Sequence, residues 1–131
     1  MLFRSRLDPN TGMIAVVSPS VPTNQTAACW IAVTLDGELA YATNTASGTV
    51  TGYSVDRQTG ALTRQSADGI TGVTGGAPID AATIGNRLLY VLSGGPAESQ
   101  VVAFKIKPDG SLVSLGAVGG LPPGASGVAA K

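Results

Sequence analysis

The sequence predicts an all-β chain, and two observations point there first. The chain repeats itself at an offset of 49 residues, and turn-forming dipeptides recur at matched places between short runs of strand-forming residues. A third observation is negative: no window of the 131 residues sustains a helical period, and 18 glycines spread along the chain would penalise one.

Elements follow in chain order. Phe3–Leu7 and Met13–Ser18 read as two strands of a broken unit, because Asp8, Thr11-Gly12 and Ile14 match Asp56, Thr59-Gly60 and Leu62 at an offset of 48. In the first whole unit, Trp30–Thr34 is a strand, Asp36-Gly37 a turn, Leu39–Thr43 a strand and Val50–Val55 another. Thr59-Gly60-Ala61-Leu62 then turns into a fourth. The second unit repeats this as Ile79–Thr83, Gly85-Asn86, Leu88–Ser93, Val101–Ile106, Asp109-Gly110 and Ser111–Val118. Gly accepts positive φ and Asp or Asn bonds back to its own backbone, so each dipeptide reverses the chain for a stated reason. The registers coincide: Thr34 falls on Thr83, Leu39 on Leu88 and Tyr41 on Tyr90. After a two-residue slip, Val50–Val55 falls on Val101–Ile106.

A unit of four short antiparallel strands in about 45–50 residues is a propeller blade. The fold class is therefore a β-propeller fragment of about two and a half four-stranded blades. Residues 1–27 are a partial blade and linker, 28–76 and 77–124 one blade each, and 125–131, centred on Ser126–Ala130, a single strand of the next or closing blade. A sandwich or open barrel with a chance duplication is the alternative, and the fixed order of turns disfavours it. Tyr41 and Tyr90 are expected at equivalent positions with packed rings. Gly72–Pro78 reads as a crossover between blades.

Composition excludes several classes. Eight Lys and Arg balance eight Asp and Glu, which gives no basic footprint for a phosphate backbone, so no nucleic-acid partner is expected. Histidine is absent, which removes His-based triads and most zinc sites. No metal-ligand spacing occurs, and no metal or cofactor is expected. Cys29 is the one cysteine, so no intrachain disulfide forms, and a buried, inert thiol is the expectation. The longest apolar run, Ala27–Val33, is far short of a span, so no membrane partner is expected. No signal peptide is legible, and the cytoplasm follows only if Met1 is the true start. Asn24-Gln25-Thr26 matches a glycosylation sequon, relevant only to a secreted eukaryotic chain.

At these motifs the chain resembles the seven-bladed lactonase propellers, which include 6-phosphogluconolactonase and carboxymuconate-cyclase-like proteins. The residues are Asp36-Gly37, Tyr41-Ala42-Thr43-Asn44, Tyr53-Ser54-Val55 and Thr59-Gly60-Ala61-Leu62, with Tyr90, Phe104-Lys105-Ile106 and Asp109-Gly110-Ser111-Leu112 in the second unit. The second unit departs from the pattern at Gly85-Asn86 and at Ser93, which stands in place of Asn. The resemblance covers nearly the whole chain but only the C-terminal part of such a ring, so missing blades or self-association are the partners it implies.

In a propeller the innermost strands line a central channel, here Trp30–Thr34 and Ile79–Thr83. Asp80 is the charged residue on them, a catalytic base or metal carboxylate on one reading and a channel Asp bonded to backbone amides on the other. Asn44, Thr45 and Ser93 fall where inner-face loops would offer hydrogen bonds to a polar ligand, and Trp30 could stack on one or pack between blades. The resemblance implies hydrolysis of a sugar lactone or similar polar small molecule. Its Pro-Arg-His-like segment is replaced by Ala28-Cys29-Trp30 and Ala77-Pro78-Ile79, so turnover by the chain alone is not expected. The alternative is a non-catalytic binding or scaffold module that self-associates through open blade faces.

Overall fold

The computed structural model describes residues 2–131; Met1 lies outside the described residues. Among the described residues there are eleven strands and no helix. These are β1 (Leu2–Leu7), β2 (Ile14–Val21), β3 (Ala28–Val33), β4 (Leu39–Asn44), β5 (Thr49–Val55), β6 (Leu62–Arg64), β7 (Gly72–Val73), β8 (Ala77–Ile84), β9 (Leu88–Gly94), β10 (Ser99–Ile106) and β11 (Leu112–Leu121). They form a β1–β2 hairpin, a first sheet in the order β3-β4-β5-β6 with β7 also on β5, and a second sheet in the order β8-β9-β10-β11. All pairings are antiparallel, and sequence neighbours pair, as in blades of a propeller.

The turns form for the reason the sequence suggests. Asp8 Oδ1 accepts the amides of Asn10 (2.8 Å) and Thr11 (3.3 Å), and Asp56 Oδ1 those of Gln58 (2.8 Å) and Thr59 (2.7 Å). Glycines in the left-handed region close both turns, Gly12 at φ 71° and Gly60 at φ 76°. The 48-residue correspondence is thus a correspondence of hydrogen bonds. Asp109 does the same for Ser111, at 3.0 Å to its amide and 2.7 Å to its hydroxyl. Amide and hydroxyl donors hold all three carboxyls below their ordinary value of 3.8, because they favour the ionised form.

Several boundaries differ from the sequence reading. The fourth strand of the first sheet is broken: β6 and β7 take opposite ends of β5, with Tyr53 opposite Arg64 and Thr49 opposite Val73. Between them Gln65 turns inward over Gly52 and Gly110, where a Cβ on either glycine would collide with its carboxamide. The Gly-rich crossover is therefore partly strand, since Gly72-Val73 pairs with β5. The outermost strand of the second sheet runs on to Leu121 rather than ending at Val118. Finally, Ser126–Ala130 forms no strand. Pro122 and Pro123 cannot donate to a ladder, and Gly124 and Gly127 take positive φ (75° and 88°).

The core lies between the sheets. Ala32, Tyr41 and Val50 of the first pack against Ala81, Leu89, Val91, Val102, Phe104 and Ile106 of the second. The other face of the first sheet, with Ala40, Ala42 and Tyr53, is covered by Leu2 and Val21 of the hairpin. Each fully buried large side chain contributes about 1.5–3 kcal/mol relative to exposure, so covering both faces matters. The Tyr41 hydroxyl crosses the gap and donates to the Gly110 carbonyl at 2.8 Å, in buried surroundings. Burial, with the Asp109 and Asp36 charges adding to it, pushes that phenol above its ordinary value, so it stays a neutral donor.

Tyr90 occupies the same place on β9, but its ring is half-buried, and among the described residues its hydroxyl has no partner within the chain. Strand alternation explains the difference. Leu89 and Val91 face the first sheet, so Tyr90 faces away from it, onto a surface that no further sheet covers. Tyr41→Phe should then cost about 1–3 kcal/mol in urea denaturation, because the buried Gly110 carbonyl loses its donor. Tyr90→Phe in dilute solution should shift stability by less than about 0.5 kcal/mol. Equal costs for the two would refute this account of the interface.

Candidate functional site

The inner strands β3 and β8 lie side by side and are joined by side chains rather than by a ladder. Thr83 Oγ1 donates to the Val33 carbonyl at 2.8 Å, and Thr45 Oγ1 to the Pro78 carbonyl at 2.8 Å. Cys29 Sγ lies 3.7 Å from the Ile79 carbonyl oxygen. Contrary to expectation, Cys29 is exposed, since it stands on the edge strand of its sheet, where nothing covers it. Trp30 follows it with 49% of its surface exposed and its amide on Thr43 Oγ1 at 3.0 Å.

Asp80 sits on β8 opposite Leu92 and is buried. One carboxylate oxygen accepts the Ala81 amide at 2.7 Å and the other accepts the Val128 amide at 2.7 Å. The carboxylate therefore ties the C-terminal segment to the inner strand. That segment meets β8 at Val128 but forms no ladder there.

Asn44 and Ser93, equivalent in the repeat, differ in kind. Asn44 is fully buried, and its Nδ2 donates to the Thr49 hydroxyl (3.1 Å) and the Thr51 hydroxyl (2.9 Å). It knits β4 to β5 through Nδ2, while its buried Oδ1 has no partner. The shorter Ser93 makes no such link. Its Oγ is buried without a partner, and the residue lies in the wall of an open cavity of about 670 Å³ at the end of the second sheet. Gly75, Gly76 and Ala77 form one wall, the β9–β10 loop with Gly95 and Glu98 and the flanking strand residues Gly94 and Gln100 another, and Gly124 a third. Gly76 has to be glycine here, because a Cβ would stand 2.7 Å from Ser93 Oγ and from the Gly94 carbonyl oxygen. Gln100 is held by donating to the Thr74 carbonyl at 3.0 Å, and Glu98 by accepting the Gly120 amide at 2.9 Å.

Of the residues singled out from sequence, Ser93 lines this cavity. Thr45 grips the strand that enters it, Asp80 lies further along that strand, and Trp30 stands on the neighbouring blade. Glu98, Gln100 and Gly76 were missed. For Glu98 and Gln100 the signal was the two-residue slip in the repeat offset, which falls between Tyr90 and Phe104 and is taken up by β9 and β10, each one residue longer than β4 and β5. The lining holds hydroxyl, carboxamide, carboxylate and backbone groups, but no Lys or Arg. Among the described residues no three Cys, Asp or Glu side chains converge as metal ligands.

No protein-family model and no curated protein matches the chain by sequence. Solved structures match by shape. A candidate 6-phosphogluconolactonase of Bacteroides uniformis aligns over 88% of this chain with a TM-score of 0.65 and 21% identity. A Lactobacillus plantarum protein aligns over 88% (TM-score 0.62, 16% identity), and the periplasmic gluconolactonase of Pseudomonas aeruginosa over 87% (TM-score 0.59, 17% identity). The chain spans about a third of each: 32%, 32% and 33% of their lengths in the same order.

The contrast between the two repeat positions is testable. Asn44→Ala should destabilise by about 1–3 kcal/mol, through loss of the donors that satisfy Thr49 and Thr51. Ser93→Ala should be neutral or slightly stabilising, because it removes a buried hydroxyl with no partner. Thermal unfolding of both variants checks this, and a costly Ser93→Ala would contradict the assignment of Ser93 as a free lining group.

Proposed function

We propose that this chain, which matches the fold of about a third of lactonase-type propellers, supplies two and a half blades, with one wall of the binding cavity, to a propeller that handles a neutral sugar lactone, and that the chain alone does not turn the lactone over. The observation that carries the reading is the Ser93 cavity, which opens at the end of the second sheet and is lined by hydroxyl, carboxamide, carboxylate and backbone groups, with the Ser93 hydroxyl unpartnered just beneath its surface. A polyhydroxylated ring suits that lining. A phosphorylated sugar suits it poorly, since no cation lines this wall.

Hydrolysis of a cyclic ester needs a base for water and a donor or cation for the carbonyl oxygen. In this chain the Asp80 carboxylate is engaged by two backbone amides, and its part in the reading is to place the C-terminal segment at the cavity rim. Ser93, Gln100 and the amides of the Gly94-Gly95 loop are the groups assigned to binding. A non-catalytic binding module is the second reading, favoured by the same engagement of Asp80.

In a pH-stat assay the isolated chain should hydrolyse gluconolactone no faster than the spontaneous reaction. Gluconate should shift the amide resonances of Ser93, Gly94 and Gln100, with an affinity on the order of 1 mM or weaker because the opposing wall is missing. Turnover well above background, or no shift at these residues, would overturn the proposal.

A further inference from the structure

We propose that the open face of the second sheet binds the β1–β2 hairpin of a second copy of this chain, head to tail. The interface inside the chain is the template. There, the Tyr41 face of the first sheet meets Phe104, Ile106 and Leu112 of the second, and the Tyr41 hydroxyl donates to the Gly110 carbonyl at the β10–β11 turn.

Both halves of that interface are present again at opposite ends of the molecule, with the C-terminal segment touching the open face only at its inner edge, through Asp80 and Val128. At one end Tyr90 repeats Tyr41 on a face that also carries Val101, Ala103 and Val118, the last 74% exposed. At the other end the hairpin turn Asp8–Gly12 repeats the turn that ends at Gly60 in the first sheet and at Gly110 in the second. By the same repeat Leu7 stands for Val55 and Ile106, and Ile14 for Leu62 and Leu112. Leu7 and Ile14 pair across the hairpin and are 61% and 72% exposed. Leu2, on the opposite face of the hairpin by alternation within its strand, packs on the first sheet. Two exposed apolar faces, each the repeat-equivalent of one half of a buried interface, fit each other in the geometry that already joins the sheets. In that geometry the Tyr90 hydroxyl of one copy donates to the Gly12 carbonyl of the next. Different patches meet, so the contact is heterologous. It asks nothing of lactone turnover and stands or falls apart from it.

Sedimentation velocity on the full chain tests it with two surface variants, Ile14→Glu on the hairpin and Val118→Glu on the open face. Both sites are exposed, and circular dichroism checks that each variant keeps its strand content. Wild type should associate with rising concentration. Each variant alone should associate at least 100-fold more weakly, since a carboxylate would be buried unpaired. A one-to-one mixture should form a dimer, because Ile14→Glu keeps the open face and Val118→Glu keeps the hairpin. Tyr90→Phe should weaken association about 3- to 10-fold. A wild type that stays monomeric, a single variant that still dimerises, or a mixture that does not recover would each overturn the proposal. The first of these outcomes would leave the face to a blade of another chain.

Discussion

A blade is apolar on both faces, and everything else in this molecule follows from the need to cover them. A four-stranded sheet with side chains alternating up and down cannot bury both sets by itself, so each blade takes its core from its neighbours. The first sheet has a neighbour on each side and buries Tyr41, Val50 and Tyr53 completely. The second has one neighbour, and the same residue type at the same repeat position is left half-buried. The Tyr41–Gly110 bond is the polar part of this rule: a turn that closes one blade receives a hydroxyl from the blade before it.

Small residues set how closely the blades approach. Gly52 and Gly110 leave room for Gln65, and Gly69 comes so near the Thr23 carbonyl that a Cβ would overlap it. The linker after the hairpin is held there by Arg64, whose Nη1 donates to the Pro22 carbonyl at 2.7 Å, and by Gln25, whose Nε2 donates to the Asp68 carbonyl at 2.9 Å. The price of such packing is borne at the second repeat, where Ser93 replaces the buried Asn and a cavity remains. The candidate site is thus a place where the repeat is imperfect. The residue that knits two strands in one blade is absent from the next, and the two strands beside it are each one residue longer.

Much of the fold was legible because it is written twice. Turn residues such as Asp56 and Gly60 act through local hydrogen bonds and φ, which sequence reports directly, and the strand pairs β4–β5 and β9–β10 follow from the turns and from alternation. The broken fourth strand was not legible, because the chain loops out over residues 66–70 to meet Asn24 and Gln25 of the linker, contacts 43 residues apart that the repeat does not report. Nor was the exposure of Cys29, which comes from standing on an edge without a covering partner. The site was legible only in part. Ser93 could be named from the departure it makes from the repeat, but Glu98 and Gln100 act through the course of one loop, which spacing hints at and does not draw. Asn44 looked available by position and proved buried, since its partners Thr49 and Thr51 lie across a strand pair.

If neighbour coverage sets stability, the two sheets should open at different free energies. Hydrogen exchange on the chain at a dilution where it is single tests this directly. Amides of β4 and β5, in the sheet covered on both faces, should exchange slowest and together, while those of β10 and β11 should exchange faster through an opening that leaves the first sheet intact. Equal protection across both sheets, or slower exchange in the second, would contradict the account.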